Sequence, residues 1–255
     1  MKNTLKLTTA VALALFAGTE ASQAHNFKSG FVAGGAVGYS HMTNRFSNSS
    51  SNTTRVNGAI VGLTSAGVNS SKSSNAIAGS IFSGYRYITE SGFAVGFNLG
   101  FGLDGSSVKN SGTVNTMSFT NKLNRQFNIT PALFLGKTIG NSWMIFTELG
   151  LSVSRFKFKS THTETAGTNQ TTSINKSFTK VGFAPTLGAE FAVNENISVT
   201  GTATYEFFGS TKKDLGGTNR SVTVAGPITT SNTTENGVKV KPRYFTMKIG
   251  MLYKF

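Results

Sequence analysis

Gly92-Phe93-Ala94-Val95-Gly96-Phe97-Asn98-Leu99-Gly100-Phe101-Gly102-Leu103-Asp104 alternates without a break. Every odd position after Gly92 is a large apolar residue, and every even one is small or polar. A period of two is the repeat of a β-strand whose faces meet different surroundings. The nature of the second face decides between a soluble sheet and a membrane one. A soluble sandwich turns Lys- and Glu-rich faces to water. Here the second face is Ala, Gly and Asn, which suits the crowded interior of a narrow closed barrel with its apolar face in lipid.

The same alternation, with the same odd parity, recurs in seven more stretches: Gly30–Met42, Asn75–Ile88, Asn124–Lys137, Trp143–Phe158, Ser177–Val193, Ile197–Phe208 and Val238–Phe255. In the last, Phe245, Met247, Ile249, Met251, Tyr253 and Phe255 oppose Thr246, Lys248, Gly250 and Lys254. The connections alternate as well. Thr89-Glu90-Ser91, Ile139-Gly140-Asn141-Ser142 and Asn194-Glu195-Asn196 are tight, whereas residues 43–74, 105–123, 159–176 and 209–237 form long links. The expected fold is all-β: a closed, eight-stranded, antiparallel up-and-down transmembrane barrel, with short periplasmic turns and long extracellular loops. Both chain termini then lie in the periplasm. An even strand count leaves no unpaired edge in lipid. Gly58–Leu63 and Ser221–Val224 either extend hairpins above the membrane or add strands to make ten. Pro131 and Pro185 fall inside strands, where proline removes a ladder donor, and are read as bulge positions.

The first residues read as an export signal. Lys2 and Lys6 precede the apolar run Leu7–Ala17, and Ser22-Gln23-Ala24 is a small-residue cleavage site. Residues 1–24 are therefore expected to be a cleaved signal peptide and 25–255 the barrel. The apolar run is shorter than the roughly 20 residues a spanning helix needs. Cysteine is absent, which excludes disulfides and thiolate metal sites. The formal net charge is +14. However, the basic residues are scattered rather than interleaved with aromatics on one face, so no nucleic-acid partner is expected.

The C-terminal alternation ending in Tyr253 and Phe255 resembles the assembly signal of bacterial outer-membrane proteins. With the export signal and the loop order, the mature chain resembles the small eight-stranded barrels: the OmpA transmembrane domain, the opacity proteins and the porin-like surface antigens. The resemblance implies a bacterial outer-membrane location and recognition by the barrel assembly machinery. It reaches only as far as Phe255, so the peptidoglycan-binding domain of full-length OmpA proteins is not expected.

Parity nominates the candidate sites. Arg86, Glu148, Glu190, Glu206, Lys248 and Lys254 are even, and are expected to form a lumen ion-pair network of zero net charge. The alternative is a gated ion path. Phe82, Phe134, Phe146 and Phe156 also point inward and help to block it. Arg125, Arg155, Lys157, Lys180, Lys241 and Arg243 lie near the long-loop ends and are the expected contacts to lipopolysaccharide phosphates. Phe31, Tyr85, Tyr87, Phe93, Trp143, Phe191, Tyr253 and Phe255 lie at the opposite ends as an interfacial girdle.

No enzyme, cofactor or metal centre is expected. His41 and His162, the latter near Glu164, are the rim histidines, and catalysis would need one of them within hydrogen-bond reach of a serine or aspartate. The expected role is a non-enzymatic surface protein, anchored by its barrel in outer-membrane lipid. Its polar, mobile loops would meet a host or envelope ligand. A small porin for ions or tiny solutes is the alternative.

Overall fold

In the computed structural model, which describes residues 27–56, 59–114, 117–164, 171–223 and 229–255, ten strands form one antiparallel sheet. The expected signal peptide lies outside the described residues. The strands are β1 (Gly30–Val56), β2 (Ala59–Ile88), β3 (Phe93–Asp104), β4 (Ser107–Val114) and β5 (Met117–Ile139). They continue with β6 (Trp143–Glu164), β7 (Thr171–Ala192), β8 (Ile197–Phe208), β9 (Thr211–Thr223) and β10 (Thr229–Lys254). Eight of them, in the order β1-β2-β3-β5-β6-β7-β8-β10, close on themselves because β1 also pairs β10. Val37 stands opposite Gly79 on one side and Ile249 on the other. The remaining two, β4 and β9, pair only with β5 and β10 and flank the ring. Both expectations for the strand count are thereby reconciled: eight strands make the wall, and two add to its hairpins.

Tight turns join the strands at one end. Gly92 and Gly140 have φ of 79° and 60°, which a side chain would strain, and each lies at a tight turn. At the other end, the links read as loops are largely strand. β1 and β2 run past residue 43 to a hairpin beyond Val56, and β6, β7 and β10 are extended in the same way. Ser, Thr and Asn in these stretches do not prevent pairing, and the β1–β2, β1–β10 and β6–β7 ladders continue through them.

The odd-outward parity holds through the middle of the wall. Val37, Phe97, Leu149, Ile249 and Met251 are all exposed on the outside. Even positions are tightly confined: a Cβ added at Gly38 would sit 1.9 Å from the Met247 carbonyl oxygen. Towards the hairpin end the apolar face changes sides. Met42, Phe46, Phe156, Phe158, Val238, Val240 and Tyr244, all even, form a fully buried cluster inside the cylinder. Arg155, Lys159 and Lys241, all odd, are exposed outside it. Apolar side chains face out where the surroundings are lipid and in where they are water, so this switch marks the edge of the apolar band.

Pro131 and Pro185 are not bulges. The pairings β5–β6 and β7–β8 keep one register on both sides of them, interrupted locally where the donor is missing. The bulge is at Gln126, where the β5–β6 register shifts between Arg125 and Phe127. One extra residue there reverses the parity of everything before it in β5. Phe119 and Leu123, odd and apolar, are therefore buried inside with Val108.

Candidate functional site: the barrel interior and its hairpin-end rim

Three tiers of polar side chains fill the interior. At the turn end, the Arg86 guanidinium on β2 pairs with Glu190 on the opposite wall, and Lys254 lies 3.6 Å from the same carboxylate. Arg86 stacks 4.1 Å over the Phe134 ring, and Phe134 packs 4.9 Å from Phe146. Phe27, Ala94, Met144 and Ala192 complete an apolar seal around this pair.

At the hairpin end of the wall, Arg125 on β5 pairs with Asp104 and donates to both oxygens of Glu206 on β8, at 2.7 and 2.8 Å. Ser152 Oγ donates to Glu206 at 2.6 Å, and the guanidinium lies 3.8 Å over Tyr244. Between the tiers, Glu148 accepts from Asn98 and Lys248 donates to Ser80 at 3.1 Å. They line a cavity of about 100 Å³ with Thr130, Thr186, Thr202 and Thr204.

Arg125 corrects the sequence reading. Expected at the lipid headgroups, its side chain is 3% exposed and points into the barrel, because the Gln126 bulge turns it from the outer to the inner face. Asp104, which the sequence reading did not single out, is its partner. Within the three tiers, Arg86, Arg125, Lys248 and Lys254 stand against Asp104, Glu148, Glu190 and Glu206, so these eight charges sum to zero. The structure brings Arg86, Glu190 and Lys254 together, and Glu206 to Arg125. Glu148 and Lys248 each bond a neutral side chain instead.

Among the other expected lipopolysaccharide contacts, Arg155 and Lys241 are exposed and Lys157 and Arg243 half-buried. Lys180 lies on the even face and donates to the Gly209 and Ser210 carbonyls at 2.6 and 2.9 Å, so its ammonium is occupied within the rim. The girdle residues are all exposed on the outside, with Phe31–Tyr85, Trp143–Phe191 and Tyr253–Phe255 ring contacts at 5.1, 4.9 and 5.0 Å.

Of the rim histidines, the side chains of His162 and Glu164 lie outside the described residues. His41, on the outer face of β1, contacts Asn75 Oδ1 at 2.6 Å through Nδ1 and Thr43 Oγ1 at 3.2 Å through Nε2. No group of three metal-binding side chains occurs among the described residues.

A family profile described as the OmpA-like transmembrane domain matches residues 22–216. The chain belongs to that family. As an OmpA-like transmembrane domain it is a bacterial outer-membrane β-barrel, and its outward apolar band is the surface that meets lipid. No curated protein matches it in sequence. Among solved structures it is similar to Neisserial surface protein A, at 12% identity over 84% of this chain and 97% of the other, with a TM-score of 0.38. It is similar to OprG from Pseudomonas aeruginosa at 17% identity, covering 86% and 96%, with a TM-score of 0.37. It is also similar to Ail of Yersinia pestis in complex with the heparin analogue sucrose octasulfate, at 11% identity, covering 81% and 98%, with a TM-score of 0.30. The barrel is established by the closed pairing of the OmpA-like domain itself and not by these distant likenesses.

Proposed function

We propose that this barrel is an anchor that holds strand-built hairpins outside the cell, where they meet a host or envelope partner. The observation that carries this reading is the sealing of both ends of the interior. The Arg86–Glu190 tier with its phenylalanines closes the turn end, and the apolar cluster around Phe156 and Tyr244 closes the hairpin end. The cavity between them is small, about 100 Å³, with room for a few waters. This favours anchoring over a small porin. In this reading the inner charges fix the wall rather than gate a path, and the role itself demands no catalysis.

We place the turns and both termini in the periplasm and the hairpins outside. The inversion of the apolar face supports this, since a long stretch of wall with a water-type core stands beyond the lipid at the hairpin end only. The absence of native cysteine gives a clean test. In intact cells, a membrane-impermeant maleimide should label Ser65→Cys at the hairpin end and spare Glu195→Cys at a turn. Deleting the Val56–Ala59 hairpin end should reduce cell adhesion without changing solute uptake. Labelling with the opposite preference, or a defect confined to uptake, would overturn the reading.

A further inference from the structure

His41, Thr43 and Asn75 form a chain of hydrogen bonds on the outer face, where the apolar band ends. Asn75 stands directly across from His41 in the β1–β2 pairing, and Thr43 is two residues further along β1, on the same face. Phe245 stands across from His41 on β10, and just towards the turn end are Tyr39, Ile77 and Met247, all four exposed to the lipid side. Just towards the hairpin end is a polar recess of about 410 Å³ lined by Thr43, Arg45, Ser70, Ser71, Lys241 and Arg243. Arg45 lies across from Lys241 and Thr43 across from Arg243. Like charges placed in register repel, and no carboxylate lines the recess. An anion seated there would relieve that repulsion.

The hydrogen-bond chain has a direction. The amide oxygen of Asn75 accepts only, so Nδ1 of His41 carries the proton and donates to it. Nε2 is then a free lone pair 3.2 Å from the Thr43 hydroxyl, which donates to it. This is the arrangement of nucleophile, general base and orienting group that activates a hydroxyl.

We infer that Thr43, His41 and Asn75 form an acyl-ester hydrolase site for a phosphate-bearing lipid of the leaflet at the hairpin end. Arg45, Lys241 and Arg243 hold the phosphate in the recess while the acyl chain lies along the apolar band below. Thr43 Oγ1 attacks the ester carbonyl carbon and its proton passes to His41 Nε2. The tetrahedral oxyanion forms beside the positive charge of Arg243. The ester C–O bond breaks, His41 returns the proton to the leaving alkoxide, and the lipid alcohol departs. Water then attacks the acyl-threonine ester with His41 again taking the proton, releasing the fatty acid and restoring Thr43. Thr43 and His41 are the catalytic residues, and Asn75 is a positioning residue. That the lipid belongs to the outer leaflet rests on the proposed orientation, but the chemistry does not.

The test uses the folded mature protein in detergent mixed micelles, with folding checked by heat-modifiable electrophoretic migration. Three esters are offered: phosphatidylglycerol, a phosphorylated lipid A, and neutral p-nitrophenyl palmitate. Fatty-acid release from either phosphate lipid is expected, and the preferred one identifies the source of the phosphate. A long-chain alkyl fluorophosphonate should label Thr43, as read by peptide mass. Thr43→Val and His41→Asn should each lower turnover roughly 100-fold, and Thr43→Ser should retain it. Asn75→Asp should move the acidic limb of the pH–rate profile to higher pH, because a carboxylate favours the imidazolium. The ionisable groups on the same face nearest His41 are Tyr39 and Arg45 on β1 and Arg243 and Lys241 on β10. Replacing Arg45, Lys241 and Arg243 by glutamine should raise KM for the phosphate lipids about tenfold more than for the neutral ester. Folded protein that turns over none of the three esters, or turnover that survives in Thr43→Val, overturns the inference. Either result leaves the anchoring reading and its labelling test untouched.

Discussion

Arg125 on β5 grips both carboxylate oxygens of Glu206 on β8, at 2.7 and 2.8 Å, across the inside of the barrel. The pair exists only because one residue, Gln126, bulges out of the ladder next to Arg125 and turns the guanidinium inward. The buried guanidinium also serves Asp104, so its loss would orphan two carboxylates at once.

Breaking one side of that contact is expected to be costly. Arg125→Met should destabilise the folded barrel by about 3–5 kcal/mol, read as the shift in urea midpoint in lipid vesicles. Adding Asp104→Asn and Glu206→Gln to Arg125→Met should recover part of the loss, because the two carboxylates that Arg125 served are then no longer left as buried, unpaired charges. A triple variant less stable than Arg125→Met would refute the assignment.

Packing at the turn-end seal depends on the absence of a side chain. A Cβ at Gly188 would lie 2.3 Å from the Phe146 ring. Gly188→Val should therefore push Phe146 off Phe134 and Arg86, destabilising by about 1–3 kcal/mol. Phe146→Ala combined with Gly188→Val should be more stable than the sum of the two single changes predicts. Additive losses would show that the two sites do not meet.

Charge on the outer wall should be rejected where the apolar band is deepest. Leu149→Arg is expected to cost about 2–4 kcal/mol of folding free energy in a bilayer. Trp143, 4.9 Å from Phe191 at the turn end, should lose about 1 kcal/mol on change to alanine. Equilibrium unfolding from vesicles measures both, and equal effects at the two positions would contradict the depth assigned to them.

The Glu195 carboxyl, at the turn between β7 and β8, is held below the usual glutamate range, first by its hydrogen bond from Lys28 and then by that residue's charge. Its folded pKa is depressed, so the pair's contribution is present above the unfolded glutamate pKa and lost as pH falls through the folded one. The pair is exposed, so the effect on stability is small. Titration of Glu195 followed by NMR should show a midpoint below that in Lys28→Gln. Identical midpoints would remove the contact.

Lys180 shows how partial the sequence reading of the rim was. Its place near the long-link ends was legible, but its even position put it on the inner face, bonded to the Gly209 and Ser210 carbonyls. The hydrogen-bond chain of His41 was less legible still. Ser and Thr are so frequent here that a threonine two residues from a histidine means nothing until Asn75, 34 positions away in sequence, is seen opposite His41.

Strict odd-even alternation, carried through eight segments with alternating short and long links, was enough to determine a closed barrel with lipid outside and small or charged residues within. That follows because a strand in lipid has one side for each solvent, and the sequence must match each side in turn. What alternation could not decide is register. The odd apolar residues Phe119 and Leu123 look lipid-facing, and only the bulge at Gln126 reveals them, with Arg125, as interior. A single inserted residue changes no composition and breaks no apolar pattern here, yet it exchanges inside for outside. That exchange is settled by pairing between strands, which tertiary structure alone supplies.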